Sequence, residues 1–104
     1  MDQLLDQLDA NLKELYRKVV DADAALNQLQ QHGKGKHKAI FPKEAGFQSD
    51  SPRFMPYLAE TAELVAAMRH SQQFNTATLQ KAVQQLKWLH QTVQEFQLAL
   101  KDNH

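Results

Sequence analysis

From Leu8 onward the apolar positions near the start of the chain fall at Leu12, Leu15, Val19, Ala22, Leu26 and Leu29. Steps of three and four alternate, which draws one apolar stripe down a helix of 3.6 residues per turn. The stripe predicts a helix from about Asp2 to about Gln31, with Asp2 as its cap and Asp6 and Asp9 near the positive end of the dipole. Gly33 and Gly35 in "HGKGKHK" end it. A second stripe runs through Phe54, Leu58, Thr61, Val65 and Met68. It follows "SPRF", where Ser51 is the expected N-cap and Pro52 the expected first helical residue, whose missing N–H is no loss there. Pro56 still lies near the first turn, where a helix tolerates it, and the helix is expected to end near Ser71. A third stripe, Leu79, Val83, Leu86, Leu89, Val93, Phe96 and Leu100, begins after a cap at Asn75 or Thr76. Neither an alternating strand pattern nor a long-period repeat interrupts these stripes.

Three amphipathic stripes bury one another, so the pattern predicts an all-α fold, an antiparallel bundle of three main helices in one domain over residues 1–104. Leu15, Val19, Leu58, Val65, Leu86, Val93 and Phe96 are its expected core. Residues 32–51 form a connector between the first two helices, longer than a bundle turn needs. Its first half is rich in glycine and lysine and unsuited to packing, and mobility is expected over residues 32–39. Its second half, "AIFPKEAGF", is apolar enough to fold back on the bundle. The stretch "FPKEAGFQSDSPRFMPYLAE" holds Phe41, Phe47, Phe54 and Tyr57, half of the eight aromatic residues. Two readings are open: Phe41 and Phe47 plug one end of the core, or some of these rings form a partner-binding surface. Arg53 and Tyr57 flank the second stripe at a helix N-terminus, whose free N–H groups favour an anion. Tyr57, one position off the stripe, is placed either at the core edge or as an exposed platform. Trp88 sits beside the third stripe, where a large ring covers a seam or marks an interface.

Composition narrows the choices. The length suits one small domain. No cysteine is present, which removes disulfides, thiolate metal sites and thiol catalysis. No apolar run approaches the roughly 20 residues of a membrane span. The acidic opening "MDQLLDQLDANL" lacks the basic-then-apolar order of a signal peptide, so the expected location is the cytoplasm. Twelve basic and twelve acidic residues balance, but unevenly: residues 1–31 carry six acids and three bases, residues 32–50 four lysines and two acids. Lys34, Lys36, His37 and Lys38 thus make a cationic segment, a solubilising loop or a candidate for weak, salt-sensitive contact with single-stranded DNA.

Motifs of catalysis are missing. None of His32, His37, His70, His90 and His104 has a second ligand at helical spacing, so no metal is expected. Neither His70 nor His90 is followed by the lysine and glycine of phosphorelay bundles. No base marks Ser49, Ser51 or Ser71 as a nucleophile. Glu60 and Glu63 share a helix face but read as solvated, and "GKGK" lacks the spacing of a phosphate loop. A non-enzymatic protein without cofactor is expected.

"FQSDSPRFMPYLAETAELVAAM" followed by "TLQKAVQQLKWLHQTVQEFQLAL" resembles the core of the PriC family, bacterial primosomal replication protein N-double-prime, with "LLDQLDANLKELYRKV" as its leucine-rich first helix. The resemblance spans most of the chain, and "RFMPYLAE" with its upstream phenylalanines is the specific part. It implies an all-helical adaptor in replication restart that engages single-stranded DNA and the single-stranded-DNA-binding protein and helps reload the replicative helicase, with the N-terminal half facing the helicase. Carried onto this chain, it makes Phe47, Arg53, Phe54, Tyr57 and Glu60 the partner-binding candidates. Family members continue into arginine-rich helices that hold DNA. Here arginine stands only at Arg17, Arg53 and Arg69, so an N-terminal-domain-like or short member is expected. The other reading of the residues is a structural or oligomerising bundle of chaperone type, without a DNA role.

Overall fold

The computed structural model describes residues 2–33, 38–71 and 75–102. Three helices, α1 (Asp2–Gln31), α2 (Met55–Ser71) and α3 (Thr76–Asp102), pack against each other, with one 3-10 turn at Lys43–Ala45 in the first connector. A thirty-residue helix is roughly 45 Å long, which accounts for the 47 Å long axis of the molecule. Arg69 near the end of α2 meets Asp6 and Asp9 near the start of α1. Asp23 of α1 meets the first residues of α2. These pairs set α2 antiparallel to α1. The short link to α3 then returns the chain, placing Gln85 beside Thr61 and Phe96 beside Phe54.

The three stripes form the core. Leu8, Leu15, Val19 and Ala22 of the first are buried, and Leu5 extends it by one step; Leu12 and Leu26 are half-buried. Every member of the second, Phe54, Leu58, Thr61, Val65 and Met68, is buried. In the third, Leu86, Leu89 and Val93 are buried and Ala82 and Gln85 join them from the adjacent row. Phe96, expected in the core, is only half-buried. Its neighbour across the bundle is Phe54, 5.9 Å away, which precedes the first turn of α2, so no α2 helix covers its outer side.

Helix α3 starts as its sequence predicts: the Asn75 side-chain oxygen accepts the N–H groups of Ala77 and Thr78 at 3.0 and 3.2 Å. Helix α2 does not. Ser51 and Pro52 lie outside it, and it begins at Met55. The Ser51 hydroxyl accepts only the Arg53 N–H, at 3.1 Å. The cap comes from another helix. Asp23 accepts the N–H groups of Phe54 and Met55, one on each oxygen, at 2.7 and 3.0 Å. The Phe54 carbonyl then accepts Tyr57 and Leu58. Pro56 falls in the first turn, where its lack of a donor leaves nothing unpaired.

The second half of the connector folds back as expected. Phe41 and Ala45 are buried, and Phe47 is half-buried. The 3-10 turn ends at Gly46 with φ of +87°, a left-handed conformation that glycine adopts without strain. The Ile40 N–H donates to the Ser51 carbonyl at 3.0 Å and closes residues 40–51 into a compact loop.

Candidate functional site

The loop is held where α2 and α3 meet, and it gathers most of the chain's aromatic residues. Phe41 lies at its centre. Its ring is 4.8 Å from Phe47 and 4.8 Å from Tyr57, and sits edge-on to Trp88 at 6.3 Å and to Phe54 at 6.1 Å. Phe47 meets Tyr57 edge-on at 5.0 Å. Edge-to-face pairs at these separations add attraction beyond their buried area. Of the two readings of the aromatic stretch, the geometry realises the plug.

That outcome corrects the candidate partner site. Tyr57 is fully buried. Its hydroxyl donates to the Ser51 carbonyl at 3.0 Å and accepts the Ser51 N–H at 2.8 Å, so it is a post for the connector and offers no exposed platform. Phe54 is buried as well, between Phe41 and Phe96. Arg53 turns away from the ring cluster, toward the end of α1. Its Nε donates to Asn27 Oδ1 at 2.8 Å, Nη2 donates to Gln30 Oε1, and Nη1 donates to the Pro52 carbonyl at 3.1 Å. The anion expected at the start of α2 is already there, as the carboxylate of Asp23. Arg53 and Tyr57 therefore do not share a groove.

Glu60 departs furthest from its solvated reading. It accepts the Gln48 N–H on both oxygens, at 3.1 and 2.9 Å, the Ser49 N–H at 2.8 Å and the Ser49 hydroxyl at 2.7 Å. The Gln85 amide donates to it at 3.1 Å. Partial burial raises the pKa of this carboxyl, but the donors from Gln48, Ser49 and Gln85 outweigh burial and hold it below the ordinary value. Gln85 is fully buried and fully used: it also donates to the Gly46 carbonyl at 3.0 Å and accepts the Thr61 hydroxyl at 2.7 Å. Every polar partner in this cluster is satisfied, as a buried network requires.

Lys34, Lys36 and His37 lie outside the described residues, and Lys38 is exposed. Among the described residues no three His, Asp or Glu side chains converge on a point. Among those residues, too, no helix is long and apolar enough to cross a membrane. At the α1–α3 seam His90 Nε2 lies 3.2 Å from Asn11 Oδ1, and burial lowers its pKa below the ordinary range, with Glu14 opposing and Lys18 assisting.

The core stripe alone does not mark a second feature, on α1. Leu12, Tyr16, Leu58 and Ala62, with Asp9 and Lys13 at the rim, line a shallow groove between α1 and α2. Tyr16 is 56% exposed and Val20, one turn on, 44% exposed. The signal was the spacing Leu12, Tyr16, Val20, a second apolar row beside the core stripe. Lys13 and Arg17 stand next to it, neither in an ion pair with another described residue.

No protein-family model matches the chain, and comparison with curated proteins and with solved structures finds no match.

Proposed function

We propose that this chain is a non-enzymatic adaptor of bacterial replication restart, which helps reload the replicative helicase at abandoned forks through single-stranded DNA and its binding protein. The resemblance of residues 47–68 and 78–100 to the PriC family supports the cellular setting. One structural observation supports the adaptor class: the row Leu12, Tyr16 and Val20 beside the α1–α2 groove, with large apolar side chains left in water. Apolar surface that continues into a groove and carries an aromatic residue has the make-up of a protein interface. Glu60, Asp23 and Arg53, by contrast, are engaged in holding the chain's own backbone and helix ends. The adaptor reading therefore moves its contact face from Arg53 and Tyr57 to α1, in the half that the resemblance turns toward the helicase.

The test is surface plasmon resonance with the full chain immobilised and a bacterial replicative helicase, then the single-stranded-DNA-binding protein, as analytes. Micromolar or tighter binding is expected, weakened at least tenfold by Tyr16→Ala with Val20→Ser. Both side chains are largely exposed, so the variant should melt as the parent does. Absence of binding to either analyte would remove the restart reading. Binding that ignores the double substitution would remove this face. Self-association of the parent chain that the substitutions abolish would favour the oligomerising alternative.

A further inference from the structure

We propose that residues 39–51 are a releasable strap, an intramolecular stand-in for a looped, aromatic-bearing peptide that binds the same groove between α2 and α3. The argument begins with how the strap is held. Its polar clamps all come from α2 and α3, and most of them grip backbone. Glu60 takes the N–H groups of Gln48 and Ser49, Gln85 takes the Gly46 carbonyl, and Tyr57 takes both backbone groups of Ser51. A carboxylate that reads two consecutive N–H groups and an amide that reads a nearby carbonyl recognise the path of a main chain more than its side chains. Side-chain selectivity comes from two rings, Phe41 and Phe47, set against Tyr57, with Trp88 closing the far side of Phe41. This is the division of labour in peptide recognition: main-chain hydrogen bonds for affinity, pockets for alternate side chains for specificity.

The strap also meets the physical conditions for local release. It packs through one side only, since Pro42, Lys43, Glu44, Gln48 and Asp50 are exposed. Most of the core lies in the helices, Leu15, Val19, Leu58, Val65, Leu89 and Val93 among it, and of the strap only Phe41 and Ala45 are buried in it. Few buried side chains and backbone bonds near solvent place a segment at the low-stability end of a native structure. Opening exposes Tyr57 and Trp88 and frees the acceptors of Glu60 and the donor of Gln85, all already positioned. The occupant that fits is thus a segment of another protein that turns back on itself and brings two aromatic side chains together as Phe41 and Phe47 are. The strap competes with it, as a tethered inhibitor competes. The inference does not depend on the replication-restart reading, and it concerns a different face from the α1 row.

Two measurements on the full chain test it. In amide hydrogen exchange, the N–H groups of Gln48, Ser49 and Ser51 should exchange at least a hundredfold faster than those of Leu15 and Leu89. Glu60→Gln should speed these three at least a further tenfold and leave the core amides unchanged. Equal exchange of strap and core in the parent, or equal acceleration of both in Glu60→Gln, would overturn the proposal. In the second measurement a fluorescein-labelled peptide of residues 39–51 is titrated into the Phe41→Ser/Phe47→Ser chain. Saturable binding is expected, at least tenfold tighter than to the parent, whose own strap competes, and lost when both phenylalanines of the peptide are serine. Where the double variant does not melt cooperatively, Phe47→Ser alone takes its place, because that ring is only half-buried. No binding to the folded variant, or equal binding to variant and parent, would refute the groove.

Discussion

Asp23→Ala tests whether the start of α2 is set by a residue on another helix. Capping residues replaced by alanine cost about 0.5–2 kcal/mol when they satisfy one orphan donor. Asp23 satisfies two, at 2.7 and 3.0 Å, both partly buried, and its charge faces the positive end of the α2 dipole. Hydrogen bonds to charged groups contribute roughly 1.5–3 kcal/mol each before water partly replaces them. The expected loss is therefore about 2–3 kcal/mol, a large fraction of the roughly 5–15 kcal/mol that holds a domain. In a domain of this size that lowers Tm by roughly 10–20 °C. Asp23→Asn keeps an acceptor and loses the charge, and should cost about half as much. Urea unfolding followed by circular dichroism measures the change as a shift in midpoint at constant slope. The local signature is lost protection at the amides of Phe54 and Met55. A loss under about 0.5 kcal/mol, with those two amides still protected, would mean that α2 is capped by something else, and the account of why Ser51 is not the cap would fail.

Tyr57→Phe deletes only an oxygen but strips the Ser51 N–H of its partner and leaves the Ser51 carbonyl with the Ile40 N–H alone, and should cost about 1–3 kcal/mol in thermal unfolding; an unchanged melt would leave Tyr57 as a packing residue alone. Leu86→Ala should cost roughly 2–5 kcal/mol by urea titration, and a far smaller loss would place the third stripe on the surface. Glu60 has a carboxyl pKa below its ordinary value, so the folded state binds fewer protons than the unfolded chain near that value. Its contribution is complete above the unfolded pKa and lost as pH falls through the folded one; acid titration of Glu60→Gln should lack that part of the decline. His90 is also depressed, by burial, so its neutral form supports the fold above about pH 6.5 and that support fades as pH falls. The unfolding midpoint of the parent should drop between pH 7.5 and 5.5 by more than that of His90→Gln.

The helices and their stripes were legible because periodicity is a property of a single segment: Leu58, Val65, Leu86 and Val93 could be placed without knowing what they touch. Asn75 was legible for the same reason, since a cap and the donors it serves are two or three residues apart. Asp23 was not. It lies just off the first stripe and serves donors on another helix, and no local pattern distinguishes it from Asp21, which is exposed. Tyr57 shows how a correct helix produces a wrong exposure. One position off the Phe54/Leu58 row is the edge of a bare three-helix core, but the connector covers that edge, so the buried arc of α2 is wider than its stripe. Gln85 follows from the same cover: it shares a row with Ala82 and Leu89, and a polar side chain is sustained there because the loop brings the Gly46 carbonyl down to it. The residues first weighed as a binding surface and those that hold the loop are thus largely one set. An aromatic, a carboxylate and a nearby backbone are what a peptide groove and a folded-back connector both require. In a sequence the two look alike, and here the groove's first ligand is the chain itself.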